Sequence, residues 1–461
     1  NGTNYSAAMS RTIRIRSTTG NPDDVTFTGA PWIVTLSSGS VSWVLQGVGW
    51  NLDGVAKDAV YTAMLNFDGH VHLADFKYFG ANTGGGDITS ISWRSNSTVG
   101  PIVAYAAWGD VQKSLRDNIT CNSLNSQAAQ LHLIGTYVDG NGSNSNDQLV
   151  TCHTTGSVAA WGCRFGNLST GNLPRCVSDG PTSHIHLNYC YSRESDFGSV
   201  GLSVNGVSAA SASGTFLLFC DFPKMSGMYY VQYAVGSYAA QTSTNGPLIF
   251  TTPSTMIAGC DLYGKAASAT GFERLIYSFQ QQVTVLGSRL THGFGIANQS
   301  VLQISDNTTG NKVATLRNVL MRALNAVSGS NILAVGGNGS GGTHSIDFKN
   351  VLIDTDGSMS INASAAASLS DGCRFKRAAS PTNWTTKVTA GTNTFSTAAL
   401  DLDANDTPTL SGNCDGGIDP GFVGGIDIYG RPFLGGSFVM GCVERTAVRS
   451  GSFLFPLVWV E

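Results

Sequence analysis

Two aspartates, Asp221 and Asp261, carry the strongest suggestion of chemistry in this 461-residue chain. Each directly follows a Cys in the same local pattern, and if those two copies stack on adjacent turns of one structure, their Cα atoms lie about 5 Å apart. Carboxyl groups that close disfavour joint ionisation. One pKa then rises, providing an acid beside a base or nucleophile, as glycosidic cleavage requires. Arg289 holds the same position one copy later, so Asp221, Asp261 and Arg289 form the candidate catalytic set. The stretch between the aspartates, 223–254, contains Tyr229, Tyr230, Tyr233 and Tyr238, whose rings could wall a groove and stack on sugar faces. Tyr191, Arg193, Glu194, Lys224 and His292 fall nearby in the same register and complete a candidate substrate-binding set. Arg or Lys beside Tyr also suits a lyase, which neutralises a uronate carboxylate and removes the C5 proton.

The element that would position these residues is a repeat. Its pattern is apolar, any, apolar, any, a turn-former, a small residue or Cys, any, then a large apolar residue. It reads Trp43-Val44-Leu45-Gln46-Gly47-Val48-Gly49-Trp50, and again as Leu131-His132-Leu133-Ile134-Gly135-Thr136-Tyr137-Val138 and Val283-Thr284-Val285-Leu286-Gly287-Ser288-Arg289-Leu290. Marking each copy at its small residue gives positions 48, 76, 106, 136, 163, 190, 220, 260, 288, 319, 351, 373 and 414. Alternate apolar residues on both sides of a break describe two short strands meeting at a bend, each with one face inward. A unit of this length forms one coil of a solenoid, so the expected fold is all-β, a parallel β-helix of about 13 coils stacked at about 4.8 Å. Residues 1–40 are expected to hold the first cap and strands, 41–416 the β-helix, and 417–461 a closing or docking segment. A β-propeller would need longer blades with their own signature.

Composition agrees with that architecture. Asp, Glu, Lys and Arg make up 12% of the chain, about half the share of an ordinary soluble domain, while 42% is apolar and Gly alone supplies 56 residues. Stacked coils bond backbone to backbone, so they need few surface charges, and Gly and Asn serve the bends. A formal charge of -4 offers no basic footprint for nucleic acid. No apolar window is long enough to span a bilayer.

Cys163, Cys190, Cys220, Cys260, Cys373 and Cys414 all fall on the mark, which makes them small interior spacers. Cys121 and Cys152, off that column and about one coil apart, are the pair best placed for a disulfide, and the absence of Cys-x-x-Cys argues against structural zinc. His72, His132 and His186 share one outward column on alternate coils, with Ile102 and Ala159 between, about 10 Å apart and too far for one metal ion. Asp139-Gly140-Asn141-Gly142 and Asp354-Thr355-Asp356-Gly357 offer oxygen ligands but lack the full acidic series of a calcium loop. No cofactor is therefore expected.

The opening Thr12-Ile13-Arg14-Ile15-Arg16-Ser17 and the stretch Gly20 to Phe27, with the closing Asp427-Ile428-Tyr429-Gly430-Arg431-Pro432 and Gly441-Cys442-Val443-Glu444, resemble segments of right-handed, pectin-lyase-like β-helix proteins of bacterial surfaces and phage particles. The closing segment is similar to the Asp-x-x-Gly-Arg-Pro … Asp-x-Gly-Ala-x-Glu ending of choice-of-anchor-type proteins, with Val439-Met440-Gly441-Cys442 in place of Asp-Ile-Gly-Ala. The resemblance implies a right-handed coil and an extracellular, cell-surface or virion location. The apolar Phe453 to Val460 is expected to fold over the last coil or pair with a neighbouring subunit.

Two functional classes follow. One is a non-enzymatic surface or virion rod that is structural or adhesive, binding a surface polysaccharide or assembling with copies of itself. The other is a polysaccharide lyase or glycoside hydrolase working in a groove along the coils.

Overall fold

A computed structural model describes residues 11–35, 41–55, 63–80, 89–95, 100–112, 117–123, 128–140, 148–167, 175–178, 182–197, 201–205, 214–241, 246–251, 254–264, 274–279, 282–293, 299–305, 311–325, 330–335, 344–355, 358–361, 365–376, 384–390, 393–410, 412–421, 425–433 and 439–444. The chain winds as a parallel β-solenoid. Fifteen strands, from Arg11–Arg16 through Ser42-containing Val41–Gln46 to Val388–Ala390, stack in chain order into one sheet. At about 4.8 Å per step that sheet is about 67 Å long. Helix among the described residues is confined to one turn at Trp384–Lys387 and a 3₁₀ turn at Glu194–Asp196.

Each coil turns off this sheet at a bend whose first residue is left-handed. Gly47, Asp75, Trp108, Gly135, Gly162, Tyr189, Phe219, Gly236, Gly259, Gly287, Asn318, Asn350 and Gly372 hold φ between 48° and 63°. The next residue points inward and is buried, and the one after it opens a second strand. That second column pairs in parallel from Gly49 through Lys77, Asp110, Tyr137 and Arg164, and on through Tyr191 and Asp221 to Tyr238, Asp261, Arg289, Leu320, Leu352, Arg374 and Thr394. A third strand returns the chain to the first sheet, as Ala63–Asp68, Thr89–Ser95, Asp117–Ser123 and Gln148–His153 do in succession.

The stacking corrects the expected register at three coils. Gly109, not Ala106, is the inward residue of its coil, because the Phe76 ring from the coil before fills the space a side chain would take. The outward residue there is Asp110 rather than Ala107. Between Cys220 and Cys260 lies a further coil marked by Ser237, with strands Val231–Val235 and Tyr238–Gln241, so the expected loop insertion at 223–254 is a short coil in its own right. Cys414 and Asp415 leave the ladder altogether, since the last second-column strand is Thr394–Ser396. The first sheet thus holds fifteen strands against the expected 13 coils.

One continuous apolar core fills the coils, with Trp50, Trp93, Tyr78, Phe67 and Phe165 among its fully buried side chains. The inward bend column explains its mixture of Ser, Thr and Cys. Ser237 and Ser288 bond back to the carbonyls of Val235 and Leu286 and receive the amides of Cys220 and Cys260, each at 3.0 Å. Cys163, Cys190, Cys220, Cys260 and Cys373 direct their thiols at the carbonyl two residues before, as the serines do. All ten cysteines are buried and none is in a disulfide. Cys121 and Cys152 are register partners on neighbouring coils without being bonded.

After Ser396 the chain reverses along the outside of the rod. This strap holds two loops of one design, 401–409 and 425–433. In each an Asp carboxylate, Asp403 or Asp427, accepts the amides two and four residues ahead, and a Pro closes an antiparallel bridge, Leu402 with Pro408 and Ile426 with Pro432. Asp427 also takes the Arg431 side chain and the Glu444 amide, which accounts for its complete burial. Asn350 anchors the strap, exchanging bonds of 2.7 and 2.8 Å with the Ile418 backbone. Residues 445–461, and with them the expected docking of Phe453 to Val460, lie outside the described residues.

Candidate functional site

The outward second column is where the sparse charges gather. Asp261 and Arg289, register partners on neighbouring coils, pair through both guanidinium edges, with Nε at 2.9 Å from Oδ1 and Nη2 on Oδ2. Arg289 also donates from Nη1 to Asp406 of the strap at 2.6 Å, and Asp406 accepts from Arg322 at 2.6 Å. Arg322 continues to Asp354 at 3.3 Å, and Asp354 to Lys376 at 3.2 Å. Three acids and three bases thus form one chain of charge-assisted bonds across five coils, balanced in formal charge. The carboxylates raise the Arg289 pKa well above its ordinary value, outweighing its partial burial.

Beside this chain is an open groove of about 300 Å³, lined by Tyr238, Asp261, Tyr263, Arg289, Thr291, Arg322 and Leu324. Tyr238 and Tyr263 come from neighbouring coils and are 37% and 36% exposed, so rings border a floor of fixed charged groups. Burial and the nearby Asp261 and Asp221 carboxylates raise the Tyr238 hydroxyl pKa. That favours a neutral phenol, able both to donate and to accept.

The expected catalytic pair does not assemble. Tyr238 is the register partner of Asp221 on one side and of Asp261 on the other, which puts the aspartates two coils apart, about 10 Å instead of about 5 Å. Asp221 sits among Tyr191, Tyr238 and solvent, its pKa raised by desolvation, while Asp261 is occupied by Arg289. The sequence reasoning missed Tyr238 as a column member because the short coil of Ser237 was read as a loop. It missed Asp406 because nothing local to residue 406 points to a partner at 289.

The remaining expected residues are dispersed. Arg193 caps the 3₁₀ turn that Glu194 opens, and its amide bonds Asp196 at 2.7 Å, while Lys224 donates to the Phe197 carbonyl at 3.1 Å. Tyr229 and Tyr230 meet Phe250 at another corner, ring centroids 6.3 and 5.7 Å away. His292 is fully buried, so it cannot receive a substrate at the surface, and desolvation lowers its pKa to about 4. Tyr233 belongs to the face of the first sheet, stacked on Phe216, which stacks on His186 at 4.3 Å. On the same column Tyr105, rather than Ile102, separates His72 from His132, at 5.4 and 5.0 Å. Most of these rings stack face to face on one another along the sheet.

Among the described residues no group of three or more His, Cys, Asp or Glu side chains is placed to hold a metal ion. Asp139 accepts the Tyr137 hydroxyl at 3.1 Å, and Asp354 is held by Arg322 and Lys376. Their loop neighbours 141–147 and 356–357 lie outside the described residues. No helix among the described residues is long and apolar enough to cross a membrane. No protein-family model, curated protein or solved structure matches the chain.

Proposed function

We propose that the protein is a non-enzymatic rod of an extracellular, cell-surface or virion setting, which binds an uncharged stretch of surface polysaccharide in the groove between Tyr238 and Tyr263. The observation that carries this reading is the pairing of two exposed rings with a pre-bonded Asp261–Arg289–Asp406–Arg322 floor. Sugar rings have an apolar face for aromatic stacking and hydroxyls that both donate and accept, and such a floor offers carboxylate and guanidinium groups already held in place. A balanced floor favours a neutral sugar over an anionic one. Kinship with right-handed, pectin-lyase-like β-helix proteins belongs to the same proposal, supported by the parallel coils and the Asp427 to Pro432 loop. The hydrolase alternative relied on adjacent carboxylates, and Tyr238 separates them.

The test is binding to an array of bacterial surface polysaccharides, followed by titration of the best ligand. Tyr238→Ala and Tyr263→Ala are each expected to weaken binding about tenfold, roughly 1.4 kcal/mol, with an unchanged melting curve. A protein that binds no glycan, or binds equally well without both rings, would refute the reading. Release of reducing or unsaturated ends from any ligand would overturn its non-enzymatic part.

A further inference from the structure

Histidine occurs twice in this chain as a His-x-His pair on a strand of the first sheet, at His70 and His72 and again at His184 and His186. Residues two apart on a strand point to the same face, here the outward one. The two pairs differ in what their ring nitrogens already do. The Nδ1 of His72 accepts the Tyr105 amide at 3.3 Å, and the Nδ1 of His70 lies 3.3 Å from the Val103 amide and 3.2 Å from its carbonyl. A neutral imidazole that accepts at Nδ1 carries its own proton on Nε2, so His72 has no lone pair left for an ion. His184 and His186 are not bound in this way. The His184 Nδ1 is buried with no hydrogen-bond partner, a state that calls for an explanation, and neither ring exchanges a hydrogen bond with another described residue.

The two rings are set for a shared ligand. Their centroids are 6.1 Å apart, with the planes at 61°. An ion about 2.0–2.1 Å from one nitrogen of each ring needs centroids roughly 5–6 Å apart, which a small rotation of either ring supplies. Phe216, one coil on, lies parallel to His186 at 4.3 Å and edge-on to His184 at 5.8 Å. Stacking on its face fixes the plane of the His186 ring and leaves the nitrogen-bearing edge open. On the other side the register partners are Ser157 and Ala159, too small to fill the space beside the imidazoles.

The following coils add a shaped neighbour. Gly214 is the register partner of His184, and a Cβ there would collide with the Gln232 carboxamide at 2.5–2.6 Å. Gln232 stands at a register shift, between Val231 opposite Thr215 and Tyr233 opposite Phe216. Bulges of this kind re-aim a side chain, and here an amide comes to lie over the glycine next to His184.

Two imidazoles without a carboxylate suit a borderline divalent transition-metal ion, not calcium or magnesium, which demand oxygen ligands. We propose that His184 and His186 bind one such ion, Cu²⁺ or Zn²⁺, on the outward face of the first sheet, with Gln232 at its border and water in the remaining positions. The pair runs along one strand, so the coil spacing that keeps His72, His132 and His186 apart does not apply to it.

Titration of the full chain with Cu²⁺ and with Zn²⁺ at neutral pH tests this. Binding should be saturable, and tighter for Cu²⁺. His184→Ala and His186→Ala should each weaken it at least about tenfold, with an unchanged melting curve, while His70→Ala and His72→Ala leave it as it was. Electron paramagnetic resonance of the Cu²⁺-loaded parent protein should show two coupled imidazole nitrogens, a reading that requires no variant to fold. Absence of saturable binding, affinity that is indifferent to His184 and His186 or follows His70 and His72 instead, or a Cu²⁺ spectrum without two imidazole nitrogens would overturn the proposal. None of these residues lines the groove of Tyr238 and Tyr263, so the outcome is independent of saccharide binding.

Discussion

Asp406 holds Arg289 in a 2.6 Å ion pair across 117 residues of sequence. Its other oxygen takes Arg322, and its side chain is 7% exposed, so one strap carboxylate neutralises two guanidinium groups that would otherwise face each other on the coils. The strap is therefore part of the groove's electrostatics.

Removing that charge should release the strap before the coils. Asp406→Asn leaves Arg289 and Arg322 partly buried and short of a counter-charge, an expected cost of about 3 kcal/mol. Asp261→Asn, on a more exposed pair, should cost about 1 kcal/mol. Limited proteolysis within 397–444 and urea melts compare the two. Equal effects would mean that Asp406 is not the anchor.

Gly109 is required by its neighbour. A Cβ there would overlap the Phe76 ring, so Gly109→Ala should destabilise by about 1–3 kcal/mol. Adding Phe76→Leu should recover part of that loss, because the smaller side chain vacates the space. A double mutant less stable than the sum of its singles, measured by denaturant titration, would contradict this packing.

The thiols should be inert. Burial raises the pKa of Cys373 to about 11 and Cys260 to about 12, and it likewise lifts Cys163 and Cys190 well above the ordinary thiol value. A thiol reagent should label none of the 10 cysteines in the native protein and all of them in denaturant. Cys190→Ser should cost less than about 1.5 kcal/mol, since a hydroxyl can make the same bond to the Asn188 carbonyl. Fast native labelling would disprove this picture of the bend column.

His292 should make the rod acid-sensitive. Its folded pKa, lowered to about 4, lies below the ordinary value of 6.5, so the unfolded chain binds the proton first. Its contribution is then fully present above about pH 6.5 and lost as pH falls towards 4, by about 3 kcal/mol in all. The buried parts of His72, His132, His184 and His186 shift in the same direction, so the measurement is the difference in stability between His292→Leu and the parent protein across that range. A difference that stays constant with pH would exclude the effect.

Much of the fold was legible because a solenoid writes its period into the chain. Alternation about a bend puts apolar residues inward by geometry alone, and Leu45, Leu133 and Val285 are buried as that rule requires. The rule weakens where the inward residue is Gly or Ser. At Gly109 a neighbour's ring supplies the volume, and at Ser237 the hydroxyl is satisfied by backbone; neither carries an apolar signature. One missed coil was enough to move Tyr238 out of the outward column and bring Asp221 and Asp261 falsely together.

What the sequence by itself determined is the stack of parallel coils, its inward spacers, and the outward column that collects the few charges. Tertiary structure alone decided which of those charges meet, because register on a solenoid depends on every intervening coil, and the strap reaches residues more than a hundred positions away. Asp261 had a visible neighbour in Arg289, one period on, whereas Asp406 acquired its partners only when the chain folded back along the rod.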